Sequence, residues 1–166
     1  MQTDYFLDIT DPKIPGESQQ LAHRDQIEMD NWSWSESQTG TAAFGAGSGS
    51  GKVTMHDFTF SKRLDQAGPK LQNLCSTGKH IATATFYARR SGEIGGAAVD
   101  YLKIVFNDCI ISSYQITVGG DDSLREDISF NFAQIQVVYK EIIKGVAQGY
   151  VGAGYNVKEA RKIAMA

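Results

Sequence analysis

Apolar and polar residues alternate along most of the chain, and a period of two is the signature of half-buried β-strands. A first strand is predicted at about Asp4 to Ile9, where Tyr5, Leu7 and Ile9 alternate with Asp8, and it stops at Asp11-Pro12. A polar loop follows over Glu17 to Asp25, then a strand over about Gln26 to Glu36 with Ile27 and Met29 on one parity and Trp32 and Trp34 on the other. Between Lys52 and about Lys62 the parity switches near His56-Asp57, from Val53 and Met55 to Phe58 and Phe60. His80 to Arg90 alternates again, Gly92 to Gly96 closes a hairpin, and two strands follow over about Ala98 to Asn107 and Cys109 to Val118. The turn Gly119-Gly120-Asp121-Asp122 leads to the longest pattern, Asp127 to Lys140, in which Ile128, Phe130 and Phe132 give way to Ile135, Val137 and Tyr139. A pattern that slips by one residue predicts a bulge near Ala133-Gln134. Gly145 to Gly154 holds four glycines and reads as a flexible loop, before a last short strand at Tyr155 to Val157.

The period changes to that of a helix once, at about 69–77. Pro69 suits a first helical position, Leu71, Leu74 and Cys75 fall at i, i+3 and i+4, and Gly78 supplies a left-handed stop. So short a helix does not persist alone in water and must lie against a sheet, burying Cys75 with the two leucines. The fold class is therefore mainly β: an antiparallel β-barrel or sandwich with one short flanking α-helix, in a single domain spanning 1–166.

The stretch at about 37–51 departs from this alternation. It consists of small and polar residues around one Phe44, too little apolar area to order itself, and a lone aromatic among Gly45, Gly47, Gly49 and Gly51 reads either as an anchor for a partner surface or as part of a solvent-exposed loop that touches its own barrel. Its GSGSGK ending imitates a phosphate-binding loop but lacks the Ser or Thr after the lysine, Val53 standing there instead.

Sixteen Lys plus Arg against nineteen Asp plus Glu leave a net charge of −3 with no basic block, which argues against nucleic acid as a partner. No stretch approaches the length of an apolar span and the start lacks a basic flank, so neither membrane insertion nor a cleaved signal peptide is expected, and Cys75 and Cys109 read as reduced thiols. His23, His56 and His80 have no metal-ligand spacing, and His56-Asp57 has no nucleophile elbow, so no catalytic residue, metal or cofactor is expected. Trp32 and Trp34 read as core residues. Their alternative is a stacking platform in a secreted carbohydrate-binding β-sandwich module, with a hydrolase a distant third.

PGES near the start, the strand ending in WSW, the Gly-rich loop ending in GKV, TFSKRLDQAGPKLQNLCSTGKH, and NFAQIQVVY followed by GYNV together resemble the Hcp (hemolysin-coregulated protein) family of the type VI secretion system, over nearly the whole chain. The sequence departs from that pattern at Gly68, where the family usually has serine and a helix cap is weakened, and at Tyr155, where it usually has tryptophan. The resemblance implies a homohexamer whose rings stack into a hollow tube, with sheath, spike and effector proteins as partners. Such a tube carries effectors in its lumen and is itself secreted from the bacterial cytoplasm without a cleaved signal; it is not an enzyme. In such a ring Ser33, which alternates against the two tryptophans, faces the channel, joined by Gln134 and Gln136. Family members also use the loop at Phe44 to reach neighbouring subunits.

Overall fold

Eleven strands and one α-helix make up the described part of the chain in a computed structural model, which describes residues 2–40, 52–91, 97–144 and 146–164. The strands are β1 (Thr3–Thr10), β2 (Ile27–Met29), β3 (Asn31–Ser33), β4 (Glu36–Gln38), β5 (Val53–Met55), β6 (Phe58–Arg63), β7 (Ile81–Arg90), β8 (Val99–Val118), β9 (Leu124–Ile143), β10 (Val146–Asn156) and β11 (Arg161–Ile163), with α1 at Gly68–Thr77. Every pairing among them is antiparallel.

The pairings close a ring. β7 lies between β8 and β1, β1 pairs β2, β3 pairs β6, β6 pairs β9, and β9 returns to β8. One residue links β2 to β3: Asp30, whose N–H donates to the Ser61 carbonyl at 2.8 Å, so the two short strands hand the sheet from β1 to β6. Closure removes the exposed edges that an open sheet would carry. The barrel interior is aromatic. The Phe58 ring centroid lies 5.0 Å from Phe106, 5.2 Å from Phe130 and 5.6 Å from Phe86, with Trp32 stacked against it at 5.8 Å.

The slip in the apolar pattern of β9 has another origin than the expected bulge. Phe132 stays opposite Cys109 and Gln134 opposite Asn107, so the β8–β9 register is continuous there, and the real register shift lies between Ile111 and Ser113. Instead three neighbouring strands change parity along one line. Burial passes from Ile81 to Ala84 in β7, from Cys109 to Phe106 in β8 and from Phe132 to Ile135 in β9. Ala82, Asp108 and Ala133, which lie on this line, drop out of the ladders, and Asp108 takes a left-handed φ of 53°. When all strands turn over together, each keeps its apolar set inside without a slip of pairing. Asp108 also joins the two strands expected at Ala98–Asn107 and Cys109–Val118 into one of 20 residues.

β10 corrects the loop expected over Gly145–Gly154. Val146–Asn156 is a strand because β9 offers it a ladder from Ile143 to Gln134, interrupted by a shift between Ala147 and Tyr150, and cross-strand bonding outweighs the low strand propensity of glycine.

The helix begins one residue earlier than expected. Ala67 is its N-cap, Pro69 follows in the first turn, and Gly78 ends it at φ 65° with its N–H on the Leu74 carbonyl. Gly68 is thus no weakened cap. It is buried inside the first turn, and a Cβ there would collide with the Glu126 carboxylate, so any larger residue requires that buried side chain to shift. Leu71 and Leu74 are buried, whereas Cys75 is only half-buried against the core.

Candidate lumen and assembly surfaces

Ser33 stands on the outward face of β3 because Trp32 takes the inward one. Its Oγ lies 2.6 Å from the Thr59 Oγ1 of β6. Thr59 is opposite Ser129 of β9, and Ser129 is opposite Ser113 of β8, so four strands contribute one row of hydroxyls. The next row is Asn31, Ser61, Asp127 and Gln115, with the Ser61 hydroxyl donating to Asp127 Oδ1 at 2.6 Å. Ser112, the extra residue at the register shift, donates to Asp57 and lies 2.7 Å from Ser129. These rows line a shallow depression of about 530 Å³. The surface is short-chained and hydroxyl-rich, and its two carboxylates, Asp127 and Asp57, each accept from a serine hydroxyl.

Gln134 and Gln136 share the outward parity of β9 but sit past the crease, half-buried, opposite Asn107 and Val105 on one side and Asn156 and Gly154 on the other. Gln134 lies five positions along β9 from Ser129, about 17 Å of strand, so the three expected lumen residues form two stations on one sheet. The assembly-loop residues Phe44, Gly45, Gly47, Gly49 and Gly51 lie outside the described residues. Ser37 and Gln38, expected at the start of that loop, are strand: β4 pairs β5 through Glu36–Met55, Ser37–Thr54 and Gln38–Val53. Between this hairpin and the barrel wall lies an apolar groove of about 560 Å³, lined by Trp34, Val53, Met55, Ile135, Val137 and Tyr155.

The two tryptophans form no open platform. Trp32, partly buried, packs on the core at 4.5 Å from Phe86, and Trp34 leans on Phe132 at 6.4 Å with its buried Nε1 lacking a partner among the described residues. Nor do the histidines assemble chemistry. His80 and Lys158 both engage Asp108, whose carboxyl is held below its usual range by the hydrogen bond from Lys158 and then that from His80. Asp57 is taken by Ser112, and among the described residues no three His, Cys, Asp or Glu side chains gather as a metal site. Burial, with the Asp108 charge behind it, pushes the Cys109 thiol up to about 12, which leaves it protonated and inert.

Two polar clusters escaped sequence reasoning. His23 is buried in the loop before β2, stacked on Phe6 at 4.4 Å, with Nδ1 2.9 Å from Gln26 Oε1 and Nε2 2.8 Å from Asp100 Oδ1, which Arg89 also reaches at 2.9 Å. At the barrel's end Lys62 and Glu126 pair with no solvent exposure; Tyr114 donates to Glu126, and Lys62 also donates to Asp65 at 2.6 Å. One signal for the second cluster was present, since Lys62 shares the parity of Phe58 and Phe60.

Residues 6–139 match the family model described as type VI secretion system effector, Hcp. The chain is 44% identical over 162 residues to protein hcp1 of Pseudomonas aeruginosa, covering 96% of this chain and 98% of that one. Its fold is similar to the crystal structure of Hcp1 from Salmonella typhimurium, with a TM-score of 0.79 at 32% identity over 98% of this chain and 100% of that chain. It is also similar to a solved type six secretion system protein, with a TM-score of 0.88 at 23% identity over 98% of this chain and 100% of that one. The chain belongs to the Hcp family of the type VI secretion system.

Proposed function

We propose that this member of the Hcp family is a structural tube protein. One domain spanning 1–166 closes with further copies into a hexameric ring, and the rings stack into a hollow tube that a contracting sheath drives outward behind a spike. The lumen carries effectors. The protein leaves the bacterial cytoplasm through the system itself, without a cleaved signal peptide, and it binds no cofactor and catalyses no reaction. Among the described residues no helix is long and apolar enough to cross a membrane.

The observation that carries this reading is the outward polar sheet. Ser33, Thr59, Ser129 and Ser113 present hydroxyls in register across four strands, a lining that holds water and forms weak, replaceable hydrogen bonds with passing cargo. Gln134 and Gln136 extend the same lining. Phe44 and its neighbouring glycines serve contact between rings, so Phe44→Ala preserves single rings and shortens tubes.

The test is the mass of the purified chain by light scattering, with electron microscopy of the same sample. Six-fold rings with an open centre are expected, together with effector recovered on them from cells running the system. A chain that stays monomeric at every concentration sinks the reading. Carbohydrate binding is disfavoured by the seat of Trp32 among Phe58 and Phe86.

A further inference from the structure

Hydroxyl protons set the character of the outward sheet. A serine carries one O–H and two lone pairs, so each proton can be followed to a single acceptor. The Ser112 proton goes to the Asp57 carboxylate, and the 2.7 Å contact between Ser112 and Ser129 therefore has Ser129 as its donor. With that proton committed, the contact between Ser129 and Ser113 has Ser113 as its donor. The protons thus run one way, from Ser113 through Ser129 and Ser112 to Asp57, in a chain where each bond polarises the next. The neighbouring row is turned the same way: Ser61 donates to Asp127 Oδ1 at 2.6 Å and Thr117 to its Oδ2 at 3.5 Å.

Lone pairs are what such a surface offers to solvent. Ser112 and Ser113 are exposed with their protons turned into the sheet, and among the described residues neither Asp57 nor Asp127 pairs with a lysine, arginine or histidine. Asp8, Asp30, Asp65, Asp100 and Asp108 all do. The two carboxylates stand well apart. Asp57 precedes Ser61, the partner of Asp127 across the sheet, by four positions, about 13 Å along the chain. A strip of acceptors with a negative charge towards each end is complementary to a ligand that brings donors and positive charge, and bonds from ammonium or guanidinium to carboxylate are about twice as strong as neutral ones. An acidic ligand is repelled.

We infer that this strip selects basic cargo: a protein segment passing over it seats lysine or arginine side chains on Asp57 and Asp127, across the hydroxyls between them. In an extended segment, residues four apart lie on one face and span the same distance of about 13 Å. The inference rests on the reading above that this face looks into the lumen, and it adds the charge that cargo presents there.

The test measures, by fluorescence anisotropy, the binding of two labelled peptides of equal length to the full chain, one alternating lysine with serine and one alternating glutamate with serine. Physiological ionic strength screens charges beyond about 8 Å, so general attraction to an acidic protein is weak and contact with the strip dominates. The lysine peptide is expected to bind and the glutamate peptide not. Asp57→Asn with Asp127→Asn keeps the size of both side chains and weakens the lysine peptide at least about tenfold. Asp121→Asn with Asp122→Asn removes the same charge from the exposed turn and changes binding by no more than about twofold. Gln115→Lys, at an exposed position opposite Asp127, supplies the cation from within the chain and weakens binding as the first pair does. Melting curves read the folding of each variant, and Gln115→Lys decides the matter if the Asp57→Asn, Asp127→Asn chain does not fold. A lysine peptide that does not bind, a glutamate peptide that binds as well, or a loss that is alike for both asparagine pairs overturns the strip. Light scattering on the same samples keeps the two readings apart. Rings whose binding ignores Asp57 and Asp127 overturn the strip alone, whereas a monomer whose binding depends on them overturns the tube and upholds the strip as a seat for basic segments.

Discussion

Phe58 and Lys62 point to the same side of β6, four residues apart, and both are fully buried, yet they hold the barrel by different means. Phe58 sits opposite Phe130, with the rings of Trp32, Phe60, Phe86 and Phe106 around it, and stabilises through apolar area and stacked or tilted ring packing that tolerate small shifts. Lys62 sits opposite Glu126, and there the ammonium and the carboxylate each meet a desolvation penalty that only well-aimed partners offset. Those partners are present. The three ammonium protons have Glu126 Oε2, Asp65 Oδ1 and the Arg63 carbonyl, while the Tyr114 hydroxyl donates to the other carboxylate oxygen, Glu126 Oε1; burial, followed by that bond to Glu126, pushes the Tyr114 hydroxyl far above its ordinary pKa. The aromatic half accounts for much of the stability. The ionic half fixes where the barrel ends and where α1 sits, since Glu126 packs against Gly68 in the first helical turn.

The comparison breaks first at Phe58. Truncation to alanine opens a cavity among rings that cannot all collapse into it, and Phe58→Ala is expected to cost about 4 kcal/mol in denaturant unfolding. A loss below about 1.5 kcal/mol, the scale of a tolerated volume-conserving swap, would mean that the rings repack freely and that the interior has no fixed centre.

Glu126→Gln comes next, at about 3 kcal/mol, because it leaves the Lys62 ammonium buried with Asp65 as its one remaining carboxylate. The sharper measurement is the double variant. Lys62→Met with Glu126→Leu removes both charges together, and it is expected to recover most of that loss while loosening the helix start, read as faster amide exchange at Leu71. If the double variant is as unstable as the single one, the pair acts through direct attraction and the contrast with Phe58 disappears.

Sequence reasoning found the half of β6 that obeys a hydrophobic alternation and missed the half that breaks it. β1, β6, β7 and α1 were legible because their burial follows period two or 3.6, with Asp11-Pro12 after β1 and Gly78 after α1 marking ends. Lys62 and Glu126 were not, since a charged residue in a strand reads as solvent-facing until its partner across the sheet is known, and that partner is 64 positions away. β10 was hidden for a similar reason: its glycines predict loop, and only the ladder to β9 makes it strand. The crease at Asp108 divided one strand into two, since a parity switch in one strand looks like a break until its neighbours are seen to switch with it. Of the expected lumen residues, the outward direction of Ser33 followed from Trp32, whereas the 17 Å or so of β9 between Ser129, in the row of Ser33, and Gln134 depends on pairings that no local pattern encodes.

Asp100 asks whether a half-exposed charge cluster behaves like the buried one. Burial pushes its carboxyl up, but the hydrogen bonds from His23 and Arg89, and their charges, outweigh that and hold it below the ordinary range. The native state therefore keeps Asp100 ionised where the unfolded chain has begun to protonate it. The resulting stability is fully present above the unfolded value of about 3.9 and is lost as pH falls from there through the depressed folded value. Asp100→Asn is expected to cost about 2 kcal/mol at neutral pH, through the weakened bonds to His23 and Arg89, and to flatten the acid limb of the stability curve below about pH 5. An acid limb identical to that of the wild type would remove Asp100 from the account.

Ser33→Gln is the smallest expected effect on stability and the most informative about function. Ser33 lies on the outward face of the sheet that Phe58 and Lys62 line from within, exposed, and its hydroxyl pairs with that of Thr59 at 2.6 Å. Glutamine fits there without touching the core, so stability should change by no more than about 0.5 kcal/mol, the range of surface substitutions away from caps and networks. Ring formation should be unaffected as well. What changes is the lining: a longer amide stands over the row Thr59, Ser129 and Ser113 and covers the hydroxyls that cargo would use. Effector recovered with the purified ring should fall severalfold while ring mass and melting temperature stay at wild-type values. Undiminished recovery of effector would place cargo contact elsewhere, with the second station at Gln134 and Gln136 the next to test. A drop in melting temperature would instead mean that the outward hydroxyl rows, like the inward Lys62–Glu126 pair, help hold the barrel closed.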